Sequence, residues 1–210
     1  MRIVKKLYHK DKRTLFLSKV FNEIIAKTEF QLNFEYLEFY IGHGKTSILD
    51  NAAKIIINSN SPLLNDIDKR IAKVLITFEL YRLILQKVLQ VNVPRLIEDM
   101  IVGKRLVSRG YSDDIAYIFY ILMMKQKITG IKSFVQFNLP WIIFKGEDNF
   151  YYDLFYQYAK YHKYPGYELK ARNLFEALQQ DLFNTKNLKE CINLYEEITN
   201  AGNQVQVAYQ

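Results

Sequence analysis

Cysteine and histidine are scarce in this chain. Among 210 residues there is one cysteine, Cys191, and there are three histidines. A single cysteine excludes an intramolecular disulfide and gives no sign of an oxidising compartment. His9, His43 and His162 each lack a second metal ligand at the spacing of a zinc site. We therefore expect a cytoplasmic protein without metal or cofactor, in which Cys191 is a packed thiol rather than a nucleophile.

Long apolar runs and linker-like segments are also missing. The longest uninterrupted apolar run, residues 115–124, is far shorter than the roughly 20 residues that cross a bilayer. The basic first residues are not followed by an apolar run and a cleavage site, so we expect neither a secretory signal nor a membrane segment. Because the chain shows no repeat and no Gly/Pro/Ser-rich stretch, it is expected to form one domain over 1–210.

The composition and the apolar spacing predict a mainly helical globular protein. Half of the residues are hydrophobic and 24% are charged, which is typical of a folded domain. Helical spacing is found in residues 15–27, and aromatic and β-branched residues predict strands at 34–41 and 53–58. Capping and periodicity predict further helices over 66–90, 94–110, 112–127, 150–162, 167–183 and 188–200. The expected fold class is α+β, predominantly α, with a small N-terminal sheet; an all-α fold is the alternative.

The positive charge is concentrated at the start of the chain. Residues 1–13 contain one acidic residue and six basic residues: Arg2, Lys5, Lys6, Lys10, Lys12 and Arg13. The net charge of +7 therefore divides into +5 for residues 1–13 and +2 for the rest. A polyanion would bind mainly through this basic N-terminal segment. The simpler interpretation is a solvated terminus.

Residues 78–82, Phe-Glu-Leu-Tyr-Arg, carry the most specific pattern in the sequence. They lie late in the long predicted helix, and Glu98 and Asp99 follow on the next helix. This order resembles the gluzincin-type zinc metallopeptidases, in which a helix bearing HExxH is preceded by a small sheet and followed by a helix with an acidic third ligand. The resemblance covers residues 14–126, with 127–200 as a helical C-terminal portion and 201–210 as a frayed tail.

The resemblance implies a metallopeptidase-like fold without the activity. In HExxH, two histidines on one helix face bind zinc, and the glutamate between them activates the zinc-bound water. Here Phe78 and Arg82 stand at the histidine positions, and only Glu79 matches the motif. Phenylalanine cannot bind a metal, and a protonated arginine repels one.

Two interpretations of Arg82 follow from its position. In the first interpretation, Arg82 and Glu79 form an exposed ion pair at i, i+3 spacing. In the second, Arg82 replaces the zinc ion as the positive centre of the site. In the second interpretation Arg82 pairs with Glu79 and with Glu98 or Asp99, since one guanidinium group can donate hydrogen bonds to two carboxylates.

Two other segments have functional and structural interpretations. Residues 42–47, Gly-His-Gly-Lys-Thr-Ser, match the end of a phosphate-binding loop, but the first glycine of that motif is replaced by Phe39, so a turn is favoured. Residues 141–167 contain eleven aromatic residues, for which core packing is the simpler interpretation. An exposed binding face would be formed by Tyr158, Tyr161 and Tyr164 with Lys160 and Lys163.

Three functions are compatible with these observations. The leading hypothesis is a catalytically inactive, metallopeptidase-like protein that binds or regulates an unknown protein partner. The second is a nucleic-acid-binding protein that uses the basic N-terminal segment and the Tyr/Lys surface. The third is an enzyme built on Glu98, Asp99, Asp113 and Asp114, although the last two are better explained as helix caps. The oligomeric state does not follow from the sequence.

Overall fold

The computed structural model describes residues 2–5, 12–27, 35–49, 52–58, 61–65, 67–89, 92–125 and 127–207. The chain divides into two compact units, Met1–Asn92 and Val93–Gln210. The single domain over 1–210 expected from the absence of a linker stays a prediction. The boundary lies at Asn92-Val93-Pro94, a short break that the sequence marks only as the start of a new helix. The chain is mostly helical with a small mixed sheet.

The first unit contains a four-stranded sheet. Its strands are β1 (Arg2–Lys5), β2 (Tyr36–Gly42), β3 (Ser47–Leu49) and β4 (Ala52–Asn58), in the order β1-β2-β4-β3. Both β1 and β4 run parallel to β2, whereas β3 is antiparallel to β4. The two predicted strands, β2 and β4, are confirmed, and the all-α alternative is wrong. The return strand β3 allows β4 to lie parallel to β2 without a long crossover.

Two helices complete the first unit, α1 (Lys12–Lys27) and α2 (Lys69–Leu89). Helix α1 buries Leu17, Val20 and Phe21, and the Phe21 ring stacks on Phe39 of β2 at 4.5 Å between centroids. Helix α2 begins where Asp68 accepts a hydrogen bond from the backbone N–H of Ile71 at 2.7 Å, an N-cap arrangement. Asp66, the first residue of the predicted helix over 66–90, lies outside the described residues.

The second unit is helical throughout its described part. Its helices are α3 (Arg95–Leu106), α4 (Ser112–Lys125), α5 (Ile131–Phe144), α6 (Asn149–Tyr161), α7 (Pro165–Ala177) and α8 (Thr185–Val207). A π-helical turn, Val107–Tyr111, joins α3 to α4, and Gly110 within it has a φ of 87°. That left-handed conformation favours glycine and agrees with the predicted helix break at this position.

Two helices of the second unit differ from the prediction. Helix α5 was not predicted, and its interior contains Pro140. Helix α8 continues to Val207 instead of ending near residue 200, so the backbone of 201–207 is helical; residues 208–210 lie outside the described part. In the described residues, no helix is both long and apolar enough to cross a membrane.

Candidate functional site

Arg82 and Glu79 form a buried ion pair on α2. Arg82 is 1% exposed and Glu79 is 7% exposed. The Nε of Arg82 donates to Oε2 of Glu79 at 2.9 Å, and Nη2 donates to Oε1 at 3.5 Å. The interpretation as an exposed i, i+3 pair is therefore wrong, because α2 is packed on most sides. Both carboxylate oxygens of Glu79 face the guanidinium fork, one at a short and one at a long hydrogen-bond distance.

Phe78 lies on the same side of α2 as Arg82. The guanidinium carbon of Arg82 is 5.5 Å from the centroid of the Phe78 ring. The positions that would hold the two histidines of HExxH are thus adjacent in space, as i and i+4 positions on a helix are. One holds an apolar ring and the other a permanent cation. Glu79, which would have to accept a proton from water, is instead bonded to that cation.

Glu98 and Asp99 belong to the second unit. Glu98 lies in the first turn of α3 and is 6% exposed, a position where a carboxylate interacts favourably with the helix dipole. Asp99 pairs with Arg95 of the same helix, with 3.6 Å between Oδ1 and Nε. The pairing of Arg82 with Glu79 is observed, whereas its pairing with Glu98 or Asp99 stays a prediction.

The acidic residues considered for an unrecognised catalytic site lie on two helices, Glu98 and Asp99 on α3 and Asp113 and Asp114 at the start of α4. Asp113 accepts a hydrogen bond from the Tyr151 hydroxyl at 2.8 Å, which links α4 to α6. Among the described residues, no three histidine, cysteine, aspartate or glutamate side chains converge in a way that could hold a metal ion.

The basic N-terminal segment is partly structured. Arg2 and Lys5 lie on β1, which pairs with β2, so residues 2–5 form an edge strand of the sheet. Lys12 and Arg13 are exposed in the first turn of α1. Lys6 and Lys10 lie outside the described residues. The strand was missed because four residues with two basic side chains carry no distinctive β pattern.

The segment resembling a phosphate-binding loop connects β2 to β3. Thr46 is buried, and its Oγ1 accepts a hydrogen bond from the backbone N–H of Ile56 at 3.0 Å. Its carbonyl accepts another from Gln86 of α2 at 3.1 Å. Gly44 has a φ of 129°, and a Cβ there would lie 3.0 Å from Ile56. These contacts fix a turn against the sheet, as the sequence favoured.

Three helices of the second unit enclose an open groove of about 810 Å³, here named the α5–α7 groove. Helix α5 contributes Phe134, Asn138 and Trp141, spaced i, i+4 and i+7 on one face. Helix α7 contributes Glu168, Arg172, Phe175 and Glu176. The end of α6 and the residues after it contribute Tyr156, Lys160, Tyr161 and Lys163. The aromatic residues of this region therefore both pack and line a concave surface.

Trp141 has a fixed orientation in this groove. Its Nε1 donates to Oδ1 of Asn138 at 2.9 Å, while Nδ2 of the buried Asn138 donates to the Phe134 carbonyl at 2.9 Å. The Trp141 ring meets Tyr156 and Phe175 edge to face, at 5.6 and 5.8 Å between centroids. The hydrogen bond and the two ring contacts restrict the indole, which forms one wall of the groove.

The predicted Tyr/Lys surface divides into two parts. Lys160, Tyr161 and Lys163 line the α5–α7 groove, and Tyr161 is 84% exposed. Tyr158 instead packs within the unit, with its ring 4.7 Å from His162 and 5.8 Å from Phe137. The groove itself was not predicted, since α5 was not recognised as a helix. The i, i+4, i+7 spacing of Phe134, Asn138 and Trp141 was the available signal.

Cys191 is a packed thiol, as predicted, and His162 contacts the backbone at the end of α6. Cys191 is completely buried, and burial together with the neighbouring Glu190 raises its pKa to about 12. A thiol with that pKa is a poor nucleophile at neutral pH. The Nδ1 of His162 lies 3.0 Å from the Tyr158 carbonyl at the end of α6.

Comparison with protein-family models found no match for this chain, and comparisons with curated proteins and with solved structures found none either. The metallopeptidase resemblance therefore rests on the residues of α2 and their neighbours alone.

Proposed function

We propose that this chain is a non-catalytic, metallopeptidase-like protein with a binding or regulatory role. The supporting observation is the buried Arg82–Glu79 pair on α2. A gluzincin needs an empty coordination site and a glutamate that can take a proton from water. Here a guanidinium fills the position of the second zinc ligand and binds both oxygens of that glutamate.

The ion pair explains how such a helix could persist without zinc. A buried carboxylate is costly unless it is paired and hydrogen-bonded. Arg82 supplies both a positive charge and fixed donors to Glu79, as the metal and its bound water would in an active enzyme. In the described residues, every buried side-chain nitrogen or oxygen has a hydrogen-bond partner. The buried polar side chains of α2 therefore have hydrogen-bond partners without a metal ion, and a role in binding does not require the metal.

The test is to restore the missing ligands with the double variant Phe78→His/Arg82→His. We expect the wild-type chain to bind no zinc after dialysis and the variant to bind one ion, measured by elemental analysis and calorimetry. The matched control is Lys69→His/Lys73→His, an exposed pair at the same i, i+4 spacing on α2. Circular dichroism establishes that each variant is folded.

The proposal is tested by comparing the zinc affinities of the two double-histidine variants. A metallopeptidase-like scaffold supplies a third ligand, so the restored pair should bind zinc at least about tenfold more tightly than the control pair. Equal affinities would mean that the match to HExxH is coincidental. Stoichiometric zinc or peptide hydrolysis in the wild-type chain would contradict the absence of catalysis.

The charge distribution supports nucleic-acid binding as a second candidate function. The first unit carries 15 basic and 9 acidic residues, a net charge of +6, and the second carries 14 and 13, a net charge of +1. Lys12 and Arg13 extend the basic N-terminal segment into α1 with exposed side chains. Such a surface would attract polyanions mainly through charge, with a strong dependence on salt.

A further inference from the structure

We infer that the α5–α7 groove binds a linear peptide segment in which acidic residues flank an aromatic or aliphatic anchor. This inference rests on the proposed binding role and names the surface and the chemistry of the partner. It concerns the second unit alone. The residues that carry it are distinct from the ion pair on α2.

The floor and walls of the groove suit an apolar anchor. Phe134, Trp141 and Phe175 converge there, with ring centroids of Phe134 and Phe175 6.0 Å apart. A volume of about 810 Å³ exceeds a single side chain and falls within the range of ligand sites, roughly 300–1,000 Å³. Rigid aromatic walls lose little conformational entropy on binding, which favours affinity for an inserted side chain.

The charges on the rim select an acidic partner. Lys160 and Lys163 are exposed, and within the part of the chain that the structure describes neither has a carboxylate partner. The two carboxylates of the groove are already engaged. Glu168 accepts a hydrogen bond from the backbone N–H of Tyr164 at 3.2 Å, and Glu176 pairs with Arg172 at 3.3 Å. The groove thus offers positive charge beside an apolar floor.

The same features disfavour a nucleic acid in this groove. Base stacking needs open aromatic faces, but Tyr156 already stacks with Tyr152 and carries the Lys160 ammonium 4.8 Å from its centroid. The second unit as a whole has a net charge of only +1. A peptide with a few acidic residues needs neither open aromatic faces for stacking nor a strongly basic surface, because it carries only a few charges.

The chain provides its own reporter for this site. Trp141 is the only tryptophan in the sequence, and it forms a wall of the groove. Its emission therefore reports directly on groove occupancy when the probe contains no tryptophan. We would select twelve-residue peptides from a random phage-displayed library on the full-length protein. Enriched peptides would then be synthesised without tryptophan and titrated.

We expect the enriched peptides to combine acidic residues with an aromatic or aliphatic anchor and to shift the Trp141 emission. Lys160→Glu/Lys163→Glu should weaken binding at least about tenfold, as expected when charge pairs are removed. Tyr161→Ala removes a side chain that is 84% exposed and should weaken binding without affecting folding. The control, Lys186→Glu/Lys189→Glu, makes the same charge change on exposed residues of α8 outside the groove and should bind as the wild type does.

Three outcomes would overturn the inference. The first is a selection that enriches no peptide, or only neutral or basic peptides. The second is an affinity that Lys160→Glu/Lys163→Glu and the α8 control reduce equally. The third is a twelve-nucleotide oligothymidylate that shifts Trp141 more strongly than any peptide, which would assign the groove to nucleic acid. The histidine variants of α2 change no residue of the groove, so failure here and failure of the proposed function are separate results.

Discussion

At the scale of single residues, we expect removal of the Arg82 side chain to cause a large loss in the free energy of unfolding. Arg82→Met leaves Glu79 buried without its cation, and removing one partner of a buried pair costs about 3–5 kcal/mol. The double variant Glu79→Leu/Arg82→Met removes the observed pair as a whole and retains apolar volume, so it should lose less stability than Arg82→Met alone. Equilibrium unfolding in urea measures both free energies of unfolding.

A surface pair provides the matched control for this experiment. Arg172→Met removes the cation of an exposed i, i+4 pair with Glu176 on α7, and exposed pairs contribute about 0–1 kcal/mol. A loss of stability for Arg82→Met that is no larger than for Arg172→Met would contradict the structural importance of the buried pair.

The residues of α2 show both the strength and the limit of the sequence pattern. The match to HExxH located Phe78, Glu79 and Arg82 without any structure. The sequence left their burial open, because an i, i+3 pair of opposite charges is also common on a solvent-exposed helix face. The apolar residues around them on α2 were the sequence signal that this part of the helix is buried. Leu80, Leu83 and Leu85 are all buried, so no wide polar face remains on this helix.

At the scale of secondary-structure elements, the packing of α3 against α5 depends on a glycine. A Cβ at Gly103 would lie 2.7 Å from Cδ1 of Ile143, which is completely buried. Gly103→Ala should therefore destabilise the protein by about 1–3 kcal/mol through overpacking, partly offset by about 1 kcal/mol of helix propensity. Ile143→Val removes the clashing methyl group, so the double variant should be more stable than Gly103→Ala alone.

The measurement is a double-mutant cycle on the free energy of unfolding. Because the two side chains meet directly, their effects should not add, with a coupling energy of about 0.5–3 kcal/mol. Additive effects would mean that α3 and α5 do not approach as closely at Gly103 as the backbone indicates.

Long amphipathic elements were predictable from the sequence and short or uniformly apolar ones were not. Helix α1, strand β2 and helix α2 were identified by their spacing, with boundaries within a few residues. Helix α5 was missed because its residues are apolar nearly all round and Pro140 suggests a break. Strand β3 has only three residues, and its pairing with β4 depends on the turn that precedes it.

At the scale of the whole molecule, the two units differ in charge more than in apolar content. The first carries a net charge of +6 and a sheet, and the second carries +1 and a groove with aromatic walls. The sequence located the excess charge correctly in residues 1–13. The boundary between the two units, at Asn92-Val93-Pro94, does not have the composition of a linker.

This division predicts where any nucleic acid would bind. Oligothymidylate should associate with the full-length chain through the first unit, measured by fluorescence anisotropy from low to physiological salt. Lys12→Ala/Arg13→Ala should lower the affinity and reduce the salt slope by about one for each phosphate that is no longer neutralised. Lys160→Ala/Lys163→Ala removes the same charge from the second unit and should change neither the affinity for oligothymidylate nor its salt slope. The opposite ranking of the two variants would place the polyanion in the groove, and tight binding that ignores salt would show that charge attraction is not its basis.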